Sequence, residues 1–157
     1  MSERSARRNE PSGVEAVGRA AGESGRFANG GGPPLGALRD AAEGLLPYPV
    51  WLAPGSLDAL GAVLRRDAPA HRHALLTDTA VARHHLARAC DAFAAADLAP
   101  PLVVEIPPGE AHKTRERWAA VTDRLLEAGC GRDTTLVALG GGVVGDLGGF
   151  GDHSNPK

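Results

Sequence analysis

Cysteine is scarce in this chain. Cys90 and Cys130 are the only two, and no CxxC spacing joins them, so a thiol redox pair is not implied and both read as free, inert thiols. Net charge is equally thin: a formal value of −2 leaves no basic footprint for nucleic acid. Long apolar runs are missing too, none approaching the roughly 18 residues that a membrane span requires. The first residues, MSERSARRNEPSG, lack the apolar core of a secretory signal. Arg4, Arg7 and Arg8 would suit a transit peptide, but Glu3, Glu10 and Glu15 fall among them, and such peptides are poor in acids. The expectation is a protein of the reducing cytoplasm.

What is present is a soluble, globular balance, 43% apolar and 23% charged over 157 residues, enough for one ordinary domain. The composition divides it. Residues 1–46 are rich in Gly, Ala, Arg, Ser and Glu, include NGGGPPLG, and read as a disordered leader. Residues 47–150 alternate short apolar runs with longer amphipathic ones, the pattern of an α/β chain. PVWLA (49–53) is a first strand candidate, and Ser56 is placed to cap a following helix, LDALGAVLRR. HALLT (73–77) is a second strand. Ala82, Leu86, Ala89, Cys90 and Phe93 then share the buried face of a helix. LVVEI (102–106) is a third strand, and a helix from Thr114 to about Ala128 is expected to bury Trp118, Val121, Leu125 and also Leu126. Gly129 sits where a left-handed cap belongs, and TLVAL (135–139) is a fourth strand. Apolar strands separated by helices predict a doubly wound, mainly parallel sheet, whose ligands bind beyond the carboxyl ends of the strands.

Three polar stretches fall at such ends: Thr77-Asp78-Thr79, then PPGEAHKT (107–114), then the glycine run that begins at Gly140. Asp78 is suited to accept from ribose hydroxyls, Lys113 to meet a phosphate, and the amides after Gly140 to cradle a pyrophosphate at a helix N-terminus. Each has a plainer reading, as a helix cap, a solvated lysine and a tight strand-to-helix turn. Gly140, Gly142 and Gly145 satisfy G-x-G-x-x-G, but no acidic residue follows about 20 positions later. An ordinary Rossmann dehydrogenase is therefore a poor fit.

PPGEAHKT followed by GCGRDTTLVALGGGVVGDLGGF resembles the N-terminal domain of 3-dehydroquinate synthase, a sugar-phosphate cyclase. The resemblance runs from about Tyr48 to Phe150. It implies a Rossmann-like domain that binds NAD, and conversion of 3-deoxy-D-arabino-heptulosonate 7-phosphate to 3-dehydroquinate and phosphate in the shikimate pathway. By the same resemblance, Asp78, Thr79 and Ala80 match the segment after the second strand, and Glu110 and Lys113 the NAD-binding loop. Gly141, Gly142 and Val143 match the pyrophosphate turn, and Asp146 the catalytic acid beside the nicotinamide. It further implies a divalent metal, zinc or cobalt, held by a C-terminal helical domain, and a homodimer. Cyclases that make deoxyinosose or valiolone rings share much of the pattern.

After Phe150 the family's sequence gives way to GDHSNPK (151–157), which reads as an unmatched tail. The helical metal domain and its ligands are absent from this sequence, so the expectation is an inactive N-terminal fragment. Its last helix is expected to form a single turn exposing Val143, Val144, Leu147 and Phe150. His71 and His73, or His84 and His85, do not replace the metal set and read as solvated or capping histidines, while Arg65, Arg66 and Arg72 read as a solvated helix end and loop. The alternative function is a nucleotide-binding or interaction module without catalysis.

Overall fold

The computed structural model describes residues 46–149; the leader up to residue 45 and the segment from Phe150 onward lie outside the described residues. Strand β1 (Arg72–Asp78) leads into helix α2 (Thr79–Ala95), then β2 (Leu102–Ile106), helix α3 (Arg115–Glu127), β3 (Thr134–Leu139) and helix α4 (Gly142–Gly149). A 3-10 turn (Ser56–Ala59) and helix α1 (Leu60–Asp67) precede them. The strands form one parallel sheet in the order β2-β1-β3.

Period-2 alternation divides the core between the two faces of the sheet. Leu75 packs with Leu64, Ala89 and Phe93, beneath α1 and α2. Its neighbour Leu76 packs with Val104, Ile106, Val121, Val144 and Leu147, beneath α3 and α4. The doubly wound architecture expected from the sequence is therefore present. Only the central strand is buried on both faces, however, because β2 and β3 form the sheet edges of the described region.

Helix α3 begins at Thr114, whose hydroxyl accepts from the Arg117 amide. It ends in a Schellman turn: Gly129 N–H donates to the Leu126 carbonyl and Cys130 N–H to that of Leu125, with Gly129 at φ 72°, as its position predicted.

Several expectations are corrected. Residues 49–53 form no strand among the described residues; Trp51 makes an isolated bridge and Leu52 is 78% exposed. Pro49 and Pro54 bracket this stretch, and proline supplies no ladder donor. Ser56 does not cap a helix; it opens the 3-10 turn, with Gly55 in the left-handed region before it. Leu126 is 64% exposed, because the buried face of α3 runs through Trp118, Val121 and Leu125. Helix α4 has eight residues, and Val144 and Leu147 are buried: the sheet itself covers them through Leu76, Val104 and Ile106. Val143 is half-buried, and Phe150 lies outside the described residues.

His73 is neither solvated nor a cap. It is buried on the central strand, edge-on to Phe93 with ring centroids 5.4 Å apart. The arginines are exposed but engaged. Arg65 donates to the Ala96 carbonyl at 2.7 Å, Arg66 pairs with Asp67 and lies over the Trp51 ring, and Arg72 donates to the Ala128 carbonyl at the end of α3.

Candidate functional site at the carboxyl rim

Strand order places a topological switch at the carboxyl ends of β1 and β3. The chain leaves β1 for β2 on one side and returns to β3 on the other, opening the crevice in which α/β sheets bind ligands. Three segments meet at this rim. Asp78 ends β1 and caps α2, its Oδ1 accepting from the Ala80 and Val81 amides, each at 2.9 Å. Both bonds use the same oxygen, so the capping reading and the ribose-accepting one are compatible. The cap also draws Thr79 and Ala80 into the first turn of α2.

The loop after β2 reverses at Gly109, φ 107°, and Glu110–His112 form a 3-10 turn. This brings Lys113 to α4, where its Nζ pairs with the Asp146 carboxylate. Residues 33 positions apart are joined here, both partly exposed. The hydrogen bond that Lys113 donates to Asp146, followed by the Asp146 charge, holds the Lys113 ammonium above the usual lysine range, and the Glu110 charge adds in the same direction.

The glycine turn is the most informative part of the rim. Gly140 has a packing reason: an added Cβ would lie 2.6 Å from Val144 Cγ2. Gly141, Gly142 and Gly145 have none, because a Cβ on any of them meets nothing within 4 Å among the described residues. Nor does backbone conformation demand them, since the positive-φ glycines are Gly55, Gly109 and Gly129. Glycine there leaves open space above the N-terminus of α4, the shape that a pyrophosphate on backbone amides requires.

A crevice of about 450 Å³ adjoins the turn, lined by Ser56, Leu57, Val81, His85, Leu139 and Gly140 among others. Sequence reading gave Ser56, Leu57, Val81 and His85 no part in a site. Their proximity is set by the packing of α2 and the 3-10 turn, which no local motif encodes. A larger, mostly apolar groove of about 810 Å³ lies away from the rim, between α3, β3 and α4. Among the described residues, no group of three or more His, Cys, Asp or Glu side chains could hold a metal, and no helix is long and apolar enough to cross a membrane.

Residues 103–154 match the family model described as 3-dehydroquinate synthase N-terminal. The 3-dehydroquinate synthase of Bordetella pertussis is 44% identical over 103 residues, covering 66% of this chain and 28% of that protein. The pentafunctional AROM polypeptide of Lachancea thermotolerans is 57% identical over 49 residues, covering 31% of this chain and 3% of the polypeptide. Among solved structures, 2-deoxy-scyllo-inosose synthase is 26% identical with a TM-score of 0.53, covering 60% of this chain and 26% of that one. That synthase has also been solved complexed with carbaglucose-6-phosphate, NAD+ and Co2+. The chain thus spans 28% of the length of the Bordetella synthase. Over residues 103–154 this chain is similar in sequence to the N-terminal part of the 3-dehydroquinate synthase family, and its α/β fold is similar to that of 2-deoxy-scyllo-inosose synthase.

Proposed function

We propose that the rim holds NAD and that this chain is the dinucleotide-binding part of a 3-dehydroquinate synthase, a cytoplasmic enzyme acting on 3-deoxy-D-arabino-heptulosonate 7-phosphate. The observation that carries the reading is the glycine pattern. Gly141, Gly142 and Gly145 are required neither by packing nor by φ, which fits a close approach of ligand to backbone. When bound, NAD supplies a hydride acceptor that is restored within one turnover.

The chain's own residues then have definite tasks. Amides of Gly141, Gly142 and Val143 meet the pyrophosphate at the positive end of α4. Lys113, held cationic by Asp146, adds a charge over the same turn. The second oxygen of Asp78 accepts from ribose hydroxyls, with Thr79 and Ala80 fixing the start of α2 beneath it. Glu110 shapes the loop, its carbonyl accepting from the Lys113 amide at 3.0 Å. Asp146 lies about one turn into α4, where a carboxylate is stabilised, and takes the position beside the nicotinamide. The zinc or cobalt implied by the resemblance finds no fitting donor set among the described residues.

Calorimetry of the full chain with NAD tests the reading. Binding weaker than that of a whole synthase is expected, because the chain spans only 28% of such a relative. Asp78→Ala and Lys113→Ala should each weaken it about tenfold or more, as loss of a charge-assisted hydrogen bond does. Micromolar or tighter affinity unchanged by both substitutions would overturn the assignment of this rim.

A further inference from the structure

Thr77 and His73 are the two buried polar residues among the described residues. The Thr77 side chain reaches across the sheet: its Oγ1 donates to the Leu139 carbonyl at 2.7 Å, joining residues 62 apart. Thr77↔Leu139 is also the last rung of the β1–β3 register. Past that rung β1 becomes α2 and β3 becomes the glycine turn, so the hydroxyl ties the strands where the backbone ladder stops.

We propose that Thr77 is the positioning residue of the pyrophosphate turn. A peptide unit is planar, with its carbonyl and the following N–H on opposite sides. Fixing the Leu139 oxygen therefore fixes the direction of the Gly140 N–H and the angle at which the chain enters Gly141 and Gly142. The second anchor is Val144, buried against Gly140. Gly141 and Gly142 have no packing neighbour at the Cβ position; the Gly145 amide donates to the Gly141 carbonyl at 3.0 Å from the α4 side, and Thr77 and Val144 hold the turn at its strand end. Bonding a strand-end carbonyl is also what a purely structural threonine does, and the experiment has to separate the two roles. The ligand half of the inference rests on the NAD reading above; the clamp itself does not.

Three variants of the full chain are compared by NMR with wild type. Thr77→Val keeps the branched shape without the hydroxyl, Thr77→Ser keeps the hydroxyl, and Gly129→Ala strains the left-handed turn before β3, at the other end of the sheet from the rim. In the free protein, backbone order parameters of Gly140–Gly142 should fall from about 0.85 toward 0.6 in Thr77→Val, recover in Thr77→Ser and stay unchanged in Gly129→Ala. NAD affinity should follow, dropping about tenfold in Thr77→Val, the scale of one hydrogen bond, and less than about twofold in Thr77→Ser. If Thr77→Val fails to fold, Thr77→Cys provides the comparison, being near in size with a far weaker donor. Turn mobility in Thr77→Val no greater than in Gly129→Ala would overturn the positioning role. Absence of NAD binding by wild type would sink the cofactor reading, while the order parameters still decide the clamp.

Discussion

Gly140→Ala is expected to destabilise the protein, and its cost can be worked from the contacts. The new Cβ would stand 2.6 Å from Val144 Cγ2, 2.9 Å from its Cβ and 3.3 Å from its Cγ1. Turning χ1 cannot relieve this, because the Val144 Cβ does not move with χ1. Val144 is fully buried among Leu76, Val104, Ile106, Val121 and Leu147, so α4 must shift against the sheet. Overpacking of this kind costs roughly 1–3 kcal/mol, a large part of the about 5–15 kcal/mol that holds a native domain together. Gly141→Ala, with open space at its Cβ and no positive φ, should leave stability unchanged or raise it by about 0.4–1 kcal/mol, yet weaken NAD. Val144→Ala alone should cost about 1.6 kcal/mol for two buried methyl groups, plus a cavity term. Combined with Gly140→Ala it should cost less than the sum, since two of the three clashing atoms are gone. Urea unfolding followed by Trp118 fluorescence in a Trp51→Phe background is the assay, because Trp118 packs against this cluster. A Gly140→Ala protein as stable as wild type, or a Gly141→Ala protein equally damaged, would refute the reasoning.

Gly129→Ala should lose roughly 1–2 kcal/mol, because φ 72° is a left-handed position that an L side chain resists; thermal unfolding checks this, and Gly129→Asn should lose less. Asp58→Asn should show a pH signature. Arg88 grips the Asp58 carboxylate with two hydrogen bonds and holds it below the usual carboxylate range. A depressed folded pKa gives stability that is fully present above the unfolded value and lost as pH falls through the folded one. The melting-temperature deficit of Asp58→Asn should therefore be present at neutral pH and vanish in acid; a deficit independent of pH would contradict the pair's role.

Much of the described fold was legible because it is written in local periodicity. The strand at residues 73–77, the helix face through Ala89 and Phe93 and the cap at Gly129 each depend on a few neighbouring side chains, and each lies where the pattern put it. The failures are of another kind. Residues 49–53 have the apolar content of a strand, but proline removes donors from the ladder. Val144 and Leu147 read as exposed because the residues that cover them, Leu76 and Val104, are about 70 and 40 positions away and meet α4 only through the sheet. At the site, the residue types of the rim were readable one loop at a time. The Lys113–Asp146 pair and the Thr77–Leu139 bond arise from topology, and no local spacing signals them.

The central claim is that the carboxyl rim of β1, β2 and β3 is where a dinucleotide sits. Amide chemical-shift mapping of the full chain during titration with NAD tests it most directly. The account predicts saturable shifts at Thr77–Ala80, Glu110–Lys113 and Gly140–Asp146. Shifts concentrated instead at Thr122, Leu126 and Cys130, in the groove between α3 and β3, or none at millimolar NAD, would contradict it.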